Sequence, residues 1–133
     1  MKKNIPADPK AKVRVLIVED EAIIAKDMEH MLETIGCDSV TASSGEESLQ
    51  KAEHLRPDVV FMDIRLKGGM DGVEAARQIT DTFNIPVIYV TAFSEEVGTD
   101  PRGLSSGCPR VIKPFEEREI ERVIKKFIPG NNN

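Results

Sequence analysis

Residues 57–83 read PDVVFMDIRLKGGMDGVEAARQITDTF, and they hold one complete passage from strand to helix. Val59–Met62 is a short apolar run that stops abruptly on an acid, Asp63. A run of this length without polar alternation suits a strand buried on both faces of a parallel sheet. A loop, 64–70, follows and contains Gly68 and Gly69. Asp71-Gly72-Val73-Glu74 then supplies a helix start, because the Asp71 carboxylate can accept from the free N–H groups of a first turn. Behind that cap Val73, Ala76, Ile79 and Phe83 recur at three- and four-residue spacing, which predicts a helix with one buried face.

The same passage repeats on either side. Val13–Val18, Val87–Val90 and Arg110–Ile112 are further strand-like runs, and Ser39–Ala42 is a more polar one, as an edge strand would be. Ile24, Met28, Met31, Leu32 and Ile35 mark a first helix that Gly36 stops. Ser44-Gly45-Glu46-Glu47 opens a second with a capping box. A last helix begins after Pro114 and turns Phe115, Ile120, Val123, Ile124 and Phe127 inward, with Glu121 and Lys125 able to pair outside.

The segment between the fourth and fifth strands departs from this rhythm. It holds Gly98, Pro101, Gly103, Gly107 and Pro109. A glycine costs ~1 kcal/mol and a proline ~3 kcal/mol inside a helix, so one helical turn at most is expected there. The alternation, with right-handed crossovers, predicts an α/β fold: a doubly wound, five-stranded parallel sheet of order 2-1-3-4-5, with its fourth helix short or irregular.

The chain has 133 residues, 40% of them hydrophobic, enough for one core. Residues 1–12, with Pro6 and Pro9, read as a flexible lead-in; 13–128 form the domain; 129–133 read as a frayed tail, which makes the expected unit a stand-alone one. The net charge of -5 argues against nucleic acid as a direct partner. No segment reaches the ~18 apolar residues of a membrane span, so no membrane insertion is expected. Cys37 and Cys108 lack metal or redox spacing and read as ordinary reduced thiols, which fits a cytoplasmic setting. His30 and His54 fall within helices and read as solvent-facing or core-edge residues.

In open α/β sheets ligands bind beyond the carboxyl ends of the strands. At those ends stand Glu19-Asp20-Glu21, Asp63, Thr91 and Lys113. Carboxylates crowded together repel and call for a hard divalent cation, and Mg2+ suits a site that meets phosphate. A carboxylate is also a known nucleophile for phosphoryl groups. Cation, lysine and hydroxyl can then each take one phosphoryl oxygen. Glu21 by itself reads as a first-turn helix acid rather than a ligand.

The stretches VLIVEDE, PDVVFMDIRLKGGMDGVEAARQI, PVIYVTA and VIKPFEERE together resemble the receiver domain of two-component response regulators, over about Val13 to Ile128. The resemblance implies that Asp63 is the phosphoacceptor. It implies that Glu19, Asp20 and Asp63 hold Mg2+ with the main-chain carbonyl of Arg65. It makes Thr91 the switch hydroxyl and Lys113 the phosphoryl-pairing lysine, with Pro114 after it. It implies a sensor histidine kinase or phosphotransfer protein as donor and a downstream protein effector, and leaves a weak homodimer open. The domain would catalyse only its own phosphorylation and dephosphorylation.

Three departures stand out. Arg110 occupies the place of the usual inward-swinging aromatic, the fourth helix is written in breakers, and the loop after Asp63 lacks the common proline and carries extra glycine and lysine. Phe93, two residues after Thr91, is expected to limit water access to a phosphorylated Asp63. Two other function classes compete. A binding module that is never phosphorylated would fit the departures but not the intact charged positions. A hydrolase working through an aspartyl phosphate would want an acid where Arg65 stands, and a nucleotide binder would want a glycine-rich loop where Glu19-Asp20-Glu21 stands.

Overall fold

The computed structural model describes residues 12–91 and 110–127. Its strands are β1 (Arg14–Val18), β2 (Asp38–Ala42), β3 (Val59–Asp63), β4 (Val87–Thr91) and β5 (Arg110–Ile112). Its helices are α1 (Ala22–Thr34), α2 (Gly45–Leu55), α3 (Gly72–Phe83) and α4 (Glu117–Phe127), the last lying after β5. All strand pairs are parallel and the order is β2-β1-β3-β4-β5, as the alternation predicts. Expectations for the lead-in, for Phe93, Cys108 and the breaker-rich segment, and for the tail lie outside the described residues.

Successive strand residues point to opposite faces, so the sheet divides its apolar side chains between two cores. Leu16, Val18, Val60, Met62, Val87 and Tyr89 face Ala52 of α2 and Val73, Ala76 and Ile79 of α3. Val15, Ile17, Val59, Phe61, Ile88, Val90 and Val111 face Met28 and Leu32 of α1 and Ile120 and Ile124 of α4. α4 is otherwise densely charged, and its place on the sheet comes from Ile120, Val123 and Ile124, each contributing about 2 kcal/mol by burial. β3 is buried along its whole length, whereas β2 alternates exposed and half-buried residues up to the buried Ala42, as an edge strand does.

The caps form largely as the residues dictate. Ser44 Oγ accepts from Glu47 N at 3.0 Å. Glu47 returns the contact one residue further out than a capping box requires, accepting from the N–H and hydroxyl of Ser43. Asp71 Oδ1 accepts from Glu74 N at 3.0 Å. Glu21 is the cap residue of α1 rather than a first-turn acid, and its side chain caps nothing. Gly36, with φ of +92°, ends the α1 segment in a left-handed turn.

Gly72 bears most directly on the carboxyl ends of the strands. It opens α3, its N–H donates to Ile64 O at 3.3 Å, and a Cβ there would overlap the main-chain oxygen of Asp63. The start of α3 therefore rests against the backbone of the last β3 residue, and only glycine allows the approach. Gly72→Ala is expected to destabilise the fold by about 1–3 kcal/mol, the usual cost of overpacking. Urea unfolding checks this, and an unchanged midpoint would show that the two backbones are not in contact.

Candidate functional site

Parallel strands end at one edge, and between β1 and β3 the chain direction around the sheet reverses. The crevice at such a switch point is where an open α/β sheet binds ligands. Glu19 continues β1 by one residue, its N–H donating to Ala42 O at 3.0 Å, so its side chain is held inside at 5% exposure. Its Oε2 accepts from Glu21 N at 3.2 Å. Asp63 is the last residue of β3 and is 6% exposed; its Oδ1 accepts from Arg65 N at 3.0 Å. Asp20 is half-buried, and its Oδ2 accepts from Lys67 N at 3.0 Å. One carboxylate oxygen from each of Glu19, Asp20 and Asp63 lies within 4.8 Å of the others.

The opposing charge comes from beyond β5. Lys113 Nζ stands 3.4 Å from Glu19 Oε1 and 3.8 Å from Asp63 Oδ2. Its backbone is tied to β4, since Lys113 N donates to Thr91 O at 2.7 Å. Thr91 is buried at the end of β4, and the Lys113–Pro114 bond is cis. Asp20, Glu21, Asp63, Arg65, Lys67, Thr91 and Lys113 line one pocket of about 240 Å3. The structure thus gathers the predicted site residues at a single edge. It adds Lys67, which the sequence reading did not place there, and puts Glu21, read from the sequence as a helix acid at that edge, in the pocket lining. The signal for Lys67 was its loop, which departs from the family pattern.

Burial pushes the Glu19 carboxyl up to about 7, and the Asp63 carboxylate adds to that; Lys113 and the Glu21 N–H oppose it. The donor set is all oxygen, with no thiolate or imidazole in the cluster. That chemistry fits a hard divalent cation, whose charge would offset the repulsion among the three carboxylates.

Other candidates stay outside the site. His30 and His54 are exposed, as expected. Cys37 is buried and its thiol is raised above its usual range by that burial, which leaves it inert. Arg110 pairs with Tyr89 in the β4–β5 register. Its Nη1 is buried without a hydrogen-bond partner among the described residues. Where an aromatic ring is common, this chain carries a charged donor that burial penalises.

Comparison with known proteins agrees with this geometry. The profile of the family described as "Response regulator receiver domain" matches residues 15–125. A probable transcriptional regulator, ycf27 of Guillardia theta, is 38% identical over 94% of this chain and 49% of its own length. The chain thus spans about half the length of that relative. The signal receiver domain of a modulated diguanylate cyclase from Desulfovibrio desulfuricans superposes with a TM-score of 0.79 at 33% identity, covering 89% of this chain and 94% of that one. The receiver domain of the sensor histidine kinase PA1611 from Pseudomonas aeruginosa does so with a TM-score of 0.76 at 30% identity, covering 89% and 98%; its structure has magnesium in the active-site cleft.

The Glu19 carboxyl has a pH consequence for the metal-free protein. A carboxyl raised in the folded state keeps its proton while the unfolded chain releases it, so its stabilising contribution is complete below 4.5 and is lost as pH rises through about 7. Glu19→Gln removes that dependence. In chelator-treated buffer the variant is expected to melt progressively higher than the parent between pH 5 and pH 8, with the two converging at acid pH. Parallel melting curves across that range would show that Glu19 bears no such burden.

Proposed function

The chain belongs to the response regulator receiver domain family, and from that premise we propose that Asp63 is its phosphoacceptor, charged by a phosphohistidine on a sensor histidine kinase or phosphotransfer protein. Receiver domains are signalling modules of two-component systems. For this chain the reading adds that it turns over only its own phosphoryl group and acts through a downstream protein effector in the cytoplasm. Among the described residues no helix is long and apolar enough to cross a membrane.

The observation that carries the reading is the pairing of a buried strand-end carboxylate with one lysine shared with a second acid, 3.8 Å from Asp63 and 3.4 Å from Glu19. Asp63 Oδ2 faces the lysine while Oδ1 is held by the Arg65 N–H, so the nucleophile is oriented before a donor arrives. In the transfer, an Asp63 oxygen forms the new bond to phosphorus. The bond from phosphorus to the donor's imidazole nitrogen breaks, and that nitrogen keeps the electron pair. Lys113 then balances a phosphoryl oxygen instead of a carboxylate. Thr91, at the end of β4 and tied to the Lys113 backbone, is the hydroxyl that turns toward the new group.

Glu19, Asp20, Asp63 and the main-chain carbonyl of Arg65 would hold Mg2+. When bound, it supplies positive charge against the developing charge on the phosphoryl oxygens. The three clustered carboxylates and the magnesium in the PA1611 receiver cleft support this assignment.

Exposure to acetyl phosphate with Mg2+ is expected to raise the intact mass by one phosphoryl group. Asp63→Asn, or a chelator with the parent, should leave the mass unchanged. A parent protein whose mass never changes, or an Asp63→Asn variant labelled as readily as the parent, would overturn the assignment.

A further inference from the structure

The chemistry above uses Asp63, Thr91 and Lys113, and it leaves the Lys67 side chain, in the same pocket, without a task. Lys67 lies in the loop between β3 and α3. Its main-chain N–H donates to Asp20 Oδ2 at 3.0 Å, across 47 residues of sequence. A proline at this place would have no N–H to give. Directly after it Gly68 adopts a φ of +98°, a conformation that side chains rarely take, and turns the chain away. The loop is therefore pinned at residue 67 by a carboxylate of the acidic cluster. The lysine itself is exposed and lines the pocket mouth with Asp20, Glu21, Asp63, Arg65, Thr91 and Lys113. Among the described residues no ion pair or hydrogen bond holds its ammonium group.

The charges lining the pocket show what such a group does. Asp20, Glu21 and Asp63 carry three negative charges, and Arg65, Lys67 and Lys113 carry three positive ones, so the lining is neutral as a whole. Lys113 is committed to Glu19 and Asp63 at the floor. Removing the charge of Lys67 makes the mouth less positive toward any incoming anion, whether or not a cation sits on the carboxylates below. Phosphodonors are anions, and at low salt a single charge at a pocket mouth changes the local concentration of a doubly charged ligand more than that of a singly charged one.

We propose that Lys67 is a donor-selecting residue: its ammonium group, held at the mouth by the hydrogen bond from its backbone to Asp20, favours doubly charged acyl phosphates over singly charged phosphoramidate as small-molecule phosphodonors. The proposal rests on Asp63 being the phosphoacceptor. Selection acts on encounter and binding, not on the transfer at phosphorus, so it changes the dependence on donor concentration and leaves the rate at saturating donor alone.

The test compares the parent with Lys67→Ala and Lys67→Glu, both of which keep the backbone N–H, and with Lys12→Glu as a control for net charge far along the chain. Phosphorylation with Mg2+ is followed by intact mass against concentration of acetyl phosphate and, separately, of phosphoramidate. At low ionic strength Lys67→Glu is expected to lower the second-order rate constant for acetyl phosphate roughly three- to tenfold and to lower that for phosphoramidate less. The loss should shrink in high salt, where a charge is screened within ~3–8 Å. Lys67→Ala should fall between the two, and Lys12→Glu should match the parent. Equal losses with both donors, a loss indifferent to salt, or no loss at all would overturn the proposal while leaving Asp63 as phosphoacceptor. A parent labelled by neither donor would overturn both.

Discussion

Three carboxylates held within 4.8 Å of one another at the margin of an apolar core repel, and the carboxyl edge of the sheet is organised around containing that repulsion. Glu19 meets it by burial and a raised proton affinity. Asp63 meets it with the Arg65 N–H and the Lys113 ammonium, and Asp20 with the Lys67 N–H. The two N–H groups come from the loop after β3 and the ammonium from beyond β5, so the cluster and its partners meet only once β1 lies beside β3 and β5 has joined the sheet across β4. The fold has to hold charges where they are uncomfortable, and a site in that condition is ready to accept a cation and an anion together.

The sheet supplies the rigidity this requires. β3 is buried from end to end and sits between β1 and β4, so its last residue has little freedom. α3 begins against the Asp63 carbonyl through Gly72, which limits the backbone on the other side. Cation–π contact between Arg56, just past α2, and Phe83, at the end of α3, ties those helices together with 5.0 Å from guanidinium to ring centre. The described loops that follow β1 and β3 are thus passages between fixed points, which is how a carboxylate stays aimed without a ligand present.

Arg110 runs against this economy. A buried Nη1 with no acceptor among the described residues is a cost, and it falls on β5, which lies in the chain between the strand that carries Thr91 and the helix that follows Lys113. An aromatic ring at that place could turn inward without a charge to satisfy. Arginine instead leaves a charged donor at that place.

The sequence alone determined the sheet order, the strand-end acids and the capping residues, because these depend on local periodicity and on fixed rules of chain crossover. Val59–Met62 ending on Asp63, with Asp71 as the next helix cap, was readable without any partner in view. What the tertiary structure decided were contacts whose partners lie far apart in sequence. The Lys67 N–H bound to Asp20, the lysine shared by Glu19 and Asp63, and the stranded Arg110 nitrogen belong to this group. Glu47 reaching Ser43 instead of Ser44 is the local version of the same limit. Residue type tells which groups need a partner; only the path of each loop in space tells which partner is near enough to serve.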